Sequence, residues 1–161
     1  MSGVVNKALF GQFVEEVFHR GDLDAVGRRF APDAVIHDPG VELRGPVALR
    51  PAVRGLLAAF PDLRITVEDQ VAEGDRLAVR YRGEGTHRGE WRGIPATGRR
   101  IRYTGILIVR FDGDRIAAYW AQPDLLGLLR QLDAVRVAGA TSGHAPDPVG
   151  TGAGVGVATD G

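Results

Sequence analysis

The chain has 161 residues, a length typical of a single domain. Its 20 basic and 20 acidic residues cancel, which leaves no positive field to attract nucleic acid or an anionic membrane surface. The absence of cysteine excludes disulfides and cysteine nucleophiles, and no apolar run has the length of a signal sequence or a membrane span. We therefore expect a cytoplasmic protein that binds neither nucleic acid nor membrane.

The first part of the chain has the pattern of helices. Apolar residues at spacings of three and four predict an amphipathic helix over residues 5–20, which Gly21 ends. Asp22 is a suitable N-cap for a short second helix through "LDAVGRRF", which is expected to end at Ala31-Pro32.

A brief strand and a third helix come next. The stretch "AVIHDPG" predicts a strand that breaks at Pro39-Gly40. Residues 46–60 fit a helix, in which Pro51 indicates either a kink or a later start.

From residue 61 the apolar period changes to two, which is typical of strands. Two alternating runs, around "LRITV" and "RLAVRY", flank a turn at Gly74-Asp75, and "WRGIPATGR" is a loop. The longest strand, "IRYTGILIVRF", is joined by a hairpin at residues 112–114 to the last strand, "RIAAYWAQ", and a terminal helix over 124–133 follows. This order predicts an α+β fold, a curved antiparallel sheet with helices on one face.

The longest strand is apolar on both faces around residues 106–109. A sheet with helices on one side leaves its other face to water, so we expect a second copy of the chain to cover that face in a homodimer. Residues 1–138 are assigned to one domain. Residues 139–161 are rich in Gly, Ala and Pro without periodicity, and are expected to be a disordered tail.

Few residues have side chains suited to chemistry. His37 stands beside Asp38 in "VIHDPG", His87 lies close to a tryptophan in "GTHRGEW", and Asp124 follows the last strand. The other candidates lie in the strands and in the loop: Arg80, Tyr81, Trp91, Tyr103, Tyr119 and Trp120. No serine elbow, phosphate loop or dinucleotide motif is present, and the histidine spacing matches no metal motif, so we expect no metal and no cofactor.

Each of these residues also has a structural interpretation. An acid such as Asp124 is favoured in the first turn of a helix, where backbone N–H groups are unpaired. His37 fits a turn, His87 fits an exposed strand end, and Arg80 fits a face that meets water or a dimer partner. The two tryptophans fit packing positions that also wall a cavity. Spacing leaves both interpretations open.

Five stretches, in order, carry a resemblance to a known family: "GDLDAV", "HDPG", "GEGTHRGEWRGIPATGRRI", "VRFDGDRIAAYW" and "PDLLGLLRQL". Over about residues 5–133 the chain resembles the SnoaL-like polyketide cyclases, within the nuclear transport factor two-like superfamily that also contains ketosteroid isomerase. The resemblance implies a cone of curved antiparallel sheet, closed by helices around an apolar pocket.

The resemblance also implies roles for individual residues. Asp124 matches the position of the family's acid/base, and His37 and His87 match positions that frequently face the pocket. The family often has His or Glu beside the tryptophan of the last strand, where this chain has Tyr119.

The implied activity is cofactor-independent ring closure of a polyketide by an aldol reaction. An apolar pocket would raise the pKa of the base toward neutrality, and His37, His87 or Tyr103 would donate to the carbonyl oxygen. The residues expected to contact substrate are Arg80, Tyr81, Trp91, Tyr103 and Trp120. The enzymatic alternative is an isomerase or a cyclic-ether-forming or epoxide-opening enzyme on the same fold, and the non-enzymatic one is a small-molecule binding protein.

Overall fold

The computed structural model describes residues 2–135, so the expected tail at 139–161 lies outside the described residues. In chain order the elements are α1 (Gly3–Val14), a π-helical turn (Glu15–His19), α2 (Asp24–Arg29), β1 (Phe30–Asp38), β2 (Val41–Arg44), α3 (Gly45–Ala59), β3 (Arg64–Glu73), β4 (Arg76–Thr86), β5 (Arg100–Asp112), β6 (Arg115–Pro123) and α4 (Leu125–Gln131). The predicted α+β class is confirmed. No helix in the part of the chain described combines the length and apolarity needed to cross a membrane.

The six strands form one curved sheet in the order β2-β1-β6-β5-β4-β3. Four neighbouring pairs are antiparallel, as expected, and the pairing of β1 with β6 is parallel, a detail that the predicted curved antiparallel sheet did not include. The first and last strands in chain order, β1 and β6, meet only in three dimensions, so no local pattern reports their relative direction. The short edge strand β2 was also not predicted, because the four residues "VELR" are mostly exposed and are too few for a clear alternation.

The helix boundaries follow local capping. The long first helix is predicted well, although its last turn widens to the π form between Glu15 and His19. The Asp22 carboxylate accepts hydrogen bonds from the N–H groups of Asp24, at 3.0 Å, and Ala25, at 3.3 Å, and so caps α2. That helix ends two residues earlier than expected, because Phe30 already belongs to β1.

The helices pack on one face of the sheet, called here the inner face. Alternate strand residues are buried there, among them Val79 and Tyr81 in β4 and Leu107 and Val109 in β5. Burial of each such aliphatic side chain stabilises the fold by roughly 1.5–3 kcal/mol. The residues between them point to the opposite, outer face, where Ile106 of β5 is 57% exposed.

Candidate active site

A cavity of about 570 Å³ lies between the inner face of the sheet and helices α1, α3 and α4. Its wall is mostly apolar and aromatic, and this size and lining are typical of small-molecule sites. The polar or amphipathic side chains that line it are Asp38, Tyr81, Glu90, Trp91, Arg92, Tyr103 and Tyr119.

Asp38 is the carboxylate that the fold brings to this cavity at the end of β1. Ile36 is buried at the inner face, and strand alternation places Asp38 on the same side two residues later. Its side chain remains 36% exposed. Desolvation raises the pKa of Asp38, and the charge of Arg92, whose Nη2 donates to Asp38 Oδ2 over 3.3 Å, opposes this rise.

Three tyrosines from adjacent strands line the cavity. Burial raises the pKa of Tyr103 to about 12 and raises those of Tyr81 and Tyr119 further, with a smaller contribution from the charge of Asp38 in each case. The three phenols therefore stay protonated at neutral pH and act as hydrogen-bond donors. Among residues 2–135, no group is hydrogen-bonded to their hydroxyls, which leaves these donors free for a ligand.

Two glycines set the position of two of these rings. The register pairs Tyr81 with Gly105 and Tyr103 with Gly83 across β4 and β5. Each ring covers the glycine opposite, where an added Cβ atom would overlap the ring. The glycines let the rings lie against the sheet, and this arrangement keeps the cavity open above them.

The structure places Asp124 on the surface as the N-cap of α4. Its Oδ1 accepts a hydrogen bond from the N–H of Gly127 over 2.8 Å, and its side chain is exposed. Its neighbours Pro123 and Leu125 line the cavity, but Asp124 does not. This placement matches the structural interpretation, and the catalytic role of Asp124 stays a prediction from the resemblance that the geometry does not support.

Three of the predicted site residues lie on the outer face. The ring of His37 stacks on that of Trp120, with centroids 5.5 Å apart and an interplanar angle of 8°. Arg80 is exposed and pairs with Glu68. We correct their expected position, since strand alternation directs all three away from the cavity that their neighbours line.

His87 is fully buried rather than exposed at a strand end. Its Nδ1 accepts a hydrogen bond from the N–H of Thr97 over 3.3 Å, and its ring stacks on Phe60 with centroids 5.1 Å apart. His87 does not line the cavity but holds the loop between β4 and β5. That loop carries Trp91, which does line the cavity.

Comparison with known proteins decides the family. The family model for SnoaL-like polyketide cyclase matches residues 8–132, which is most of the chain. The chain belongs to the SnoaL-like polyketide cyclase family. As an enzyme of the SnoaL-like cyclase type, it is expected to take a small molecule into the cavity.

Two curated relatives are aklanonic acid methyl ester cyclases. DnrD from Streptomyces peucetius is 37% identical over 102 residues, which cover 63% of this chain and 69% of DnrD. DauD from Streptomyces sp. (strain C5) is 37% identical over 102 residues, which cover 63% of this chain but only 62% of DauD.

Solved structures agree over a longer span. TsrD from Streptomyces laurentii has a TM-score of 0.76 and 32% identity, covering 84% of this chain and 99% of TsrD. AclR from Streptomyces galilaeus, a proposed hydroxylase, has a TM-score of 0.75 and 30% identity, covering 84% of this chain and 100% of AclR. This chain therefore shares its fold with TsrD and AclR over nearly the whole length of both proteins.

The sequence-based selection of site residues named Asp38 beside His37 but gave it no role, and it missed Arg92. A signal for Asp38 was present, because β1 alternation around the apolar Ile36 places Asp38, and not His37, on the inner face. Arg92 had no comparable signal, since its position depends on how the loop "WRGIPATGR" folds back over the sheet.

Proposed function

We propose that this SnoaL-like enzyme is a polyketide cyclase that closes a ring by an intramolecular aldol reaction with Asp38 as general base. The observation that carries the proposal is a carboxylate of raised pKa in the wall of a mostly apolar cavity, beside three tyrosine donors. A base whose pKa is raised toward the working pH is better suited to take a proton from carbon.

The reaction proceeds without a co-reactant. Asp38 takes a proton from the carbon next to a substrate carbonyl, and the resulting enolate carbon forms a bond to a second carbonyl carbon of the same molecule. The alkoxide formed at that carbonyl then receives the proton back from Asp38. The product is an isomer of the substrate, so neither an oxidant nor a nucleotide is consumed.

The tyrosines stabilise the oxygen that becomes negative. Hydroxyl donors fixed in a cavity before the reaction lower the barrier by a few kcal/mol in comparable enzymes. Tyr81, Tyr103 and Tyr119 retain their protons and have no described protein partner, which supports this role for at least one of them. Trp91 and the apolar wall would hold a flat substrate with its reacting carbons close together.

Because DnrD and DauD are aklanonic acid methyl ester cyclases, this ester is the first substrate to test. We expect the protein to convert this ester, or a related polyketide ester, to a product of unchanged mass, as followed by liquid chromatography and mass spectrometry. A gain of one oxygen would instead support the hydroxylase chemistry proposed for AclR, and a gain of water would indicate hydrolysis.

Paired variants test the base. Asp38→Asn should lower turnover by at least about a hundredfold while it retains substrate binding, because the amide has the same shape but takes no proton. Asp124→Asn is the matched control and should stay active, since asparagine also caps a helix. Loss of turnover in Asp124→Asn together with an active Asp38→Asn would return the catalytic role to Asp124.

We further propose that the protein is a homodimer through the outer face of the sheet. Ile106, Ile108 and the Trp120 ring form an apolar centre on this face, and Ile108 is 42% exposed. Ion pairs such as that of Arg82 with Glu68 place side chains of both charges beside this apolar centre. A face with an apolar centre and both charges is suited to meet a copy of itself. The cytoplasmic location stays a prediction.

A further inference from the structure

A tight turn in the loop between β4 and β5 presents Arg92 to the cavity. The backbones of Trp91 and Ile94 exchange two hydrogen bonds, at 3.0 and 2.9 Å, across the two residues between them. Those residues, Arg92 and Gly93, have φ of 52° and 78°. Such turns favour glycine and asparagine at both central positions, so an arginine there is unusual.

The surrounding structure holds this turn in place. The Glu90 carboxylate accepts a hydrogen bond from the N–H of Gly93 over 2.8 Å. The N–H groups of Arg88 and Gly89 both donate to the carbonyl of Ala59 at the end of α3, at 2.8 and 3.1 Å. The unfavourable conformation of Arg92 is therefore maintained by fixed contacts on both sides, as is common at functional sites.

The guanidinium of Arg92 lies between the loop and β1. It lies over the Trp91 ring, with Cζ 5.2 Å from the ring centroid, and contacts Asp38 through one hydrogen bond of 3.3 Å. Both side chains are partly exposed, at 41% and 36%, and the contact is not bidentate. An ion pair of this kind is weak and exchanges readily for another acceptor.

Arg92 is also the only cationic side chain among the described residues that line the cavity. Arg92 is the charged group that acts on Asp38, and the charge of Asp38 acts in turn on Tyr81, Tyr103 and Tyr119. Within the described part of the chain, Glu90 is the other carboxylate among the residues that line the cavity. Of these, only Arg92 stabilises the ionised carboxylate by its charge.

We propose that Arg92 is a specificity-determining residue, which binds an oxygen of a carboxylate or ester group carried on the edge of the substrate and thereby gives up its pair with Asp38. Substrate binding then frees the base at the moment it is needed. The chemical class selected is a flat aromatic molecule with an oxygen acceptor on the edge that faces β1 and the loop. This inference deepens the proposed function and rests on the role given there to Asp38.

Binding of two probes tests the specificity without any turnover. Rhein is a dihydroxyanthraquinone carboxylate, and chrysophanol is the same ring system with a methyl group in place of the carboxylate. Arg92→Met should weaken the binding of rhein about tenfold, as expected for the loss of one charge-assisted hydrogen bond, and leave chrysophanol within about twofold. Equal effects on both probes, or no effect on rhein, would overturn the proposal.

A control variant and a second readout separate this role from a structural one. Arg88→Met removes an exposed cation from the same loop outside the cavity wall and should leave the binding of both probes unchanged. The titration of Asp38 is followed by carbon NMR of its carboxyl group, assigned by its absence in Asp38→Asn. We expect Arg92→Met to raise the pKa of Asp38, since the opposing cation is lost.

The uncharged methyl ester of rhein should raise the pKa of Asp38 more in the original protein than in Arg92→Met, because the bound ester desolvates the carboxylate in both proteins but breaks a pair with Arg92 only in the former. An equal rise in both proteins would show that Arg92 remains paired with Asp38 when the ester is bound, and would overturn the inference. These experiments do not depend on cyclisation, so they can fail while Asp38 is still shown to be the base, and the reverse also holds.

Discussion

At the scale of single residues, the site depends on one carboxylate at a strand end. Asp38 is drawn to the cavity by the alternation of β1, whereas the more conspicuous His37 is directed outward to stack on Trp120. Placing an ionised carboxylate against an apolar wall disfavours its charged form. Such a group is useful to catalysis and costly to stability.

Asp38→Asn should therefore stabilise the fold at about pH 7 and have little effect near pH 3. Because the folded-state pKa of Asp38 is raised, ionisation favours the unfolded chain as the pH rises through that pKa. Below the ordinary pKa of aspartate, both states are protonated and the difference disappears. Urea unfolding of the original protein and of Asp38→Asn at the two pH values measures the difference in the free energy of unfolding. An equal difference at both pH values would contradict desolvation of the ionised carboxylate as its cause.

Gly105 provides a second test at this scale. In Gly105→Ala the new methyl group overlaps the Tyr81 ring, which must tilt into the cavity. We expect at least about a tenfold loss of probe binding or turnover with the fold retained, because misplaced groups in a site cost binding and rate. The tyrosine signal in near-ultraviolet circular dichroism should change.

Gly27→Ala is the matched control for this substitution. Its added methyl group meets no atom within 4 Å in α2, so it should preserve binding and stabilise the helix by about 1 kcal/mol. If Gly105→Ala bound the probes as well as Gly27→Ala does, the ring position would not matter to the site.

At the scale of elements, the junction of β6 and α4 shows how one aspartate provides a hydrogen-bond acceptor for the start of a helix. The carboxylate of Asp124 accepts the N–H of Gly127, and the helix that follows contributes Leu128 to the cavity wall. Capping therefore explains why an acid stands at this junction. Asp124 is conspicuous in the sequence, but its side chain does not line the cavity.

Asp124→Ala should lower the free energy of unfolding by about 1 kcal/mol, since the N–H of Gly127 loses its acceptor. Asp124→Asn should lower the free energy of unfolding much less, because asparagine caps helices about as well as aspartate. Thermal or urea unfolding of the two variants measures the difference. Equal losses would mean that the charge of Asp124, and not its hydrogen bond, stabilises this junction.

At the scale of the whole molecule, the two faces of the sheet differ in what covers them. The inner face is filled by helices and the cavity, and the outer face presents Ile106 and Ile108 to solvent in the single chain. Isolated exposed apolar residues are ordinary, but neighbouring ones on the open face of a sheet favour burial against a partner.

We expect sedimentation of the full chain at micromolar concentration to show a dimer. Ile108→Asp places a charge at the centre of the outer face and should give a monomer that stays folded. Val47→Asp changes an equally apolar and more exposed residue at the start of α3, on the other side of the molecule, and should leave the dimer intact. A monomeric original protein would contradict the proposed interface.

The sequence by itself determined most of the elements, since periodicity, turn residues and caps act over a few neighbours. The alternation in β4 and β5, the hairpin at 112–114 and the cap at Asp22 were all read correctly from local pattern. The short terminal helix and its capping acid were also visible in the chain.

Only the tertiary structure decided which of the two faces of each strand encloses the cavity. Successive residues of a strand point to opposite faces, so the choice of face decides which side chains reach the cavity. In the structure His37, Arg80 and Trp120 lie on the outer face, whereas Asp38 and Tyr119 lie on the inner face. The parallel pairing of β1 with β6 and the position of Arg92 beside Asp38 join residues far apart in the chain. Such contacts arise from packing of the whole sheet and helices, and no local stretch of sequence encodes them.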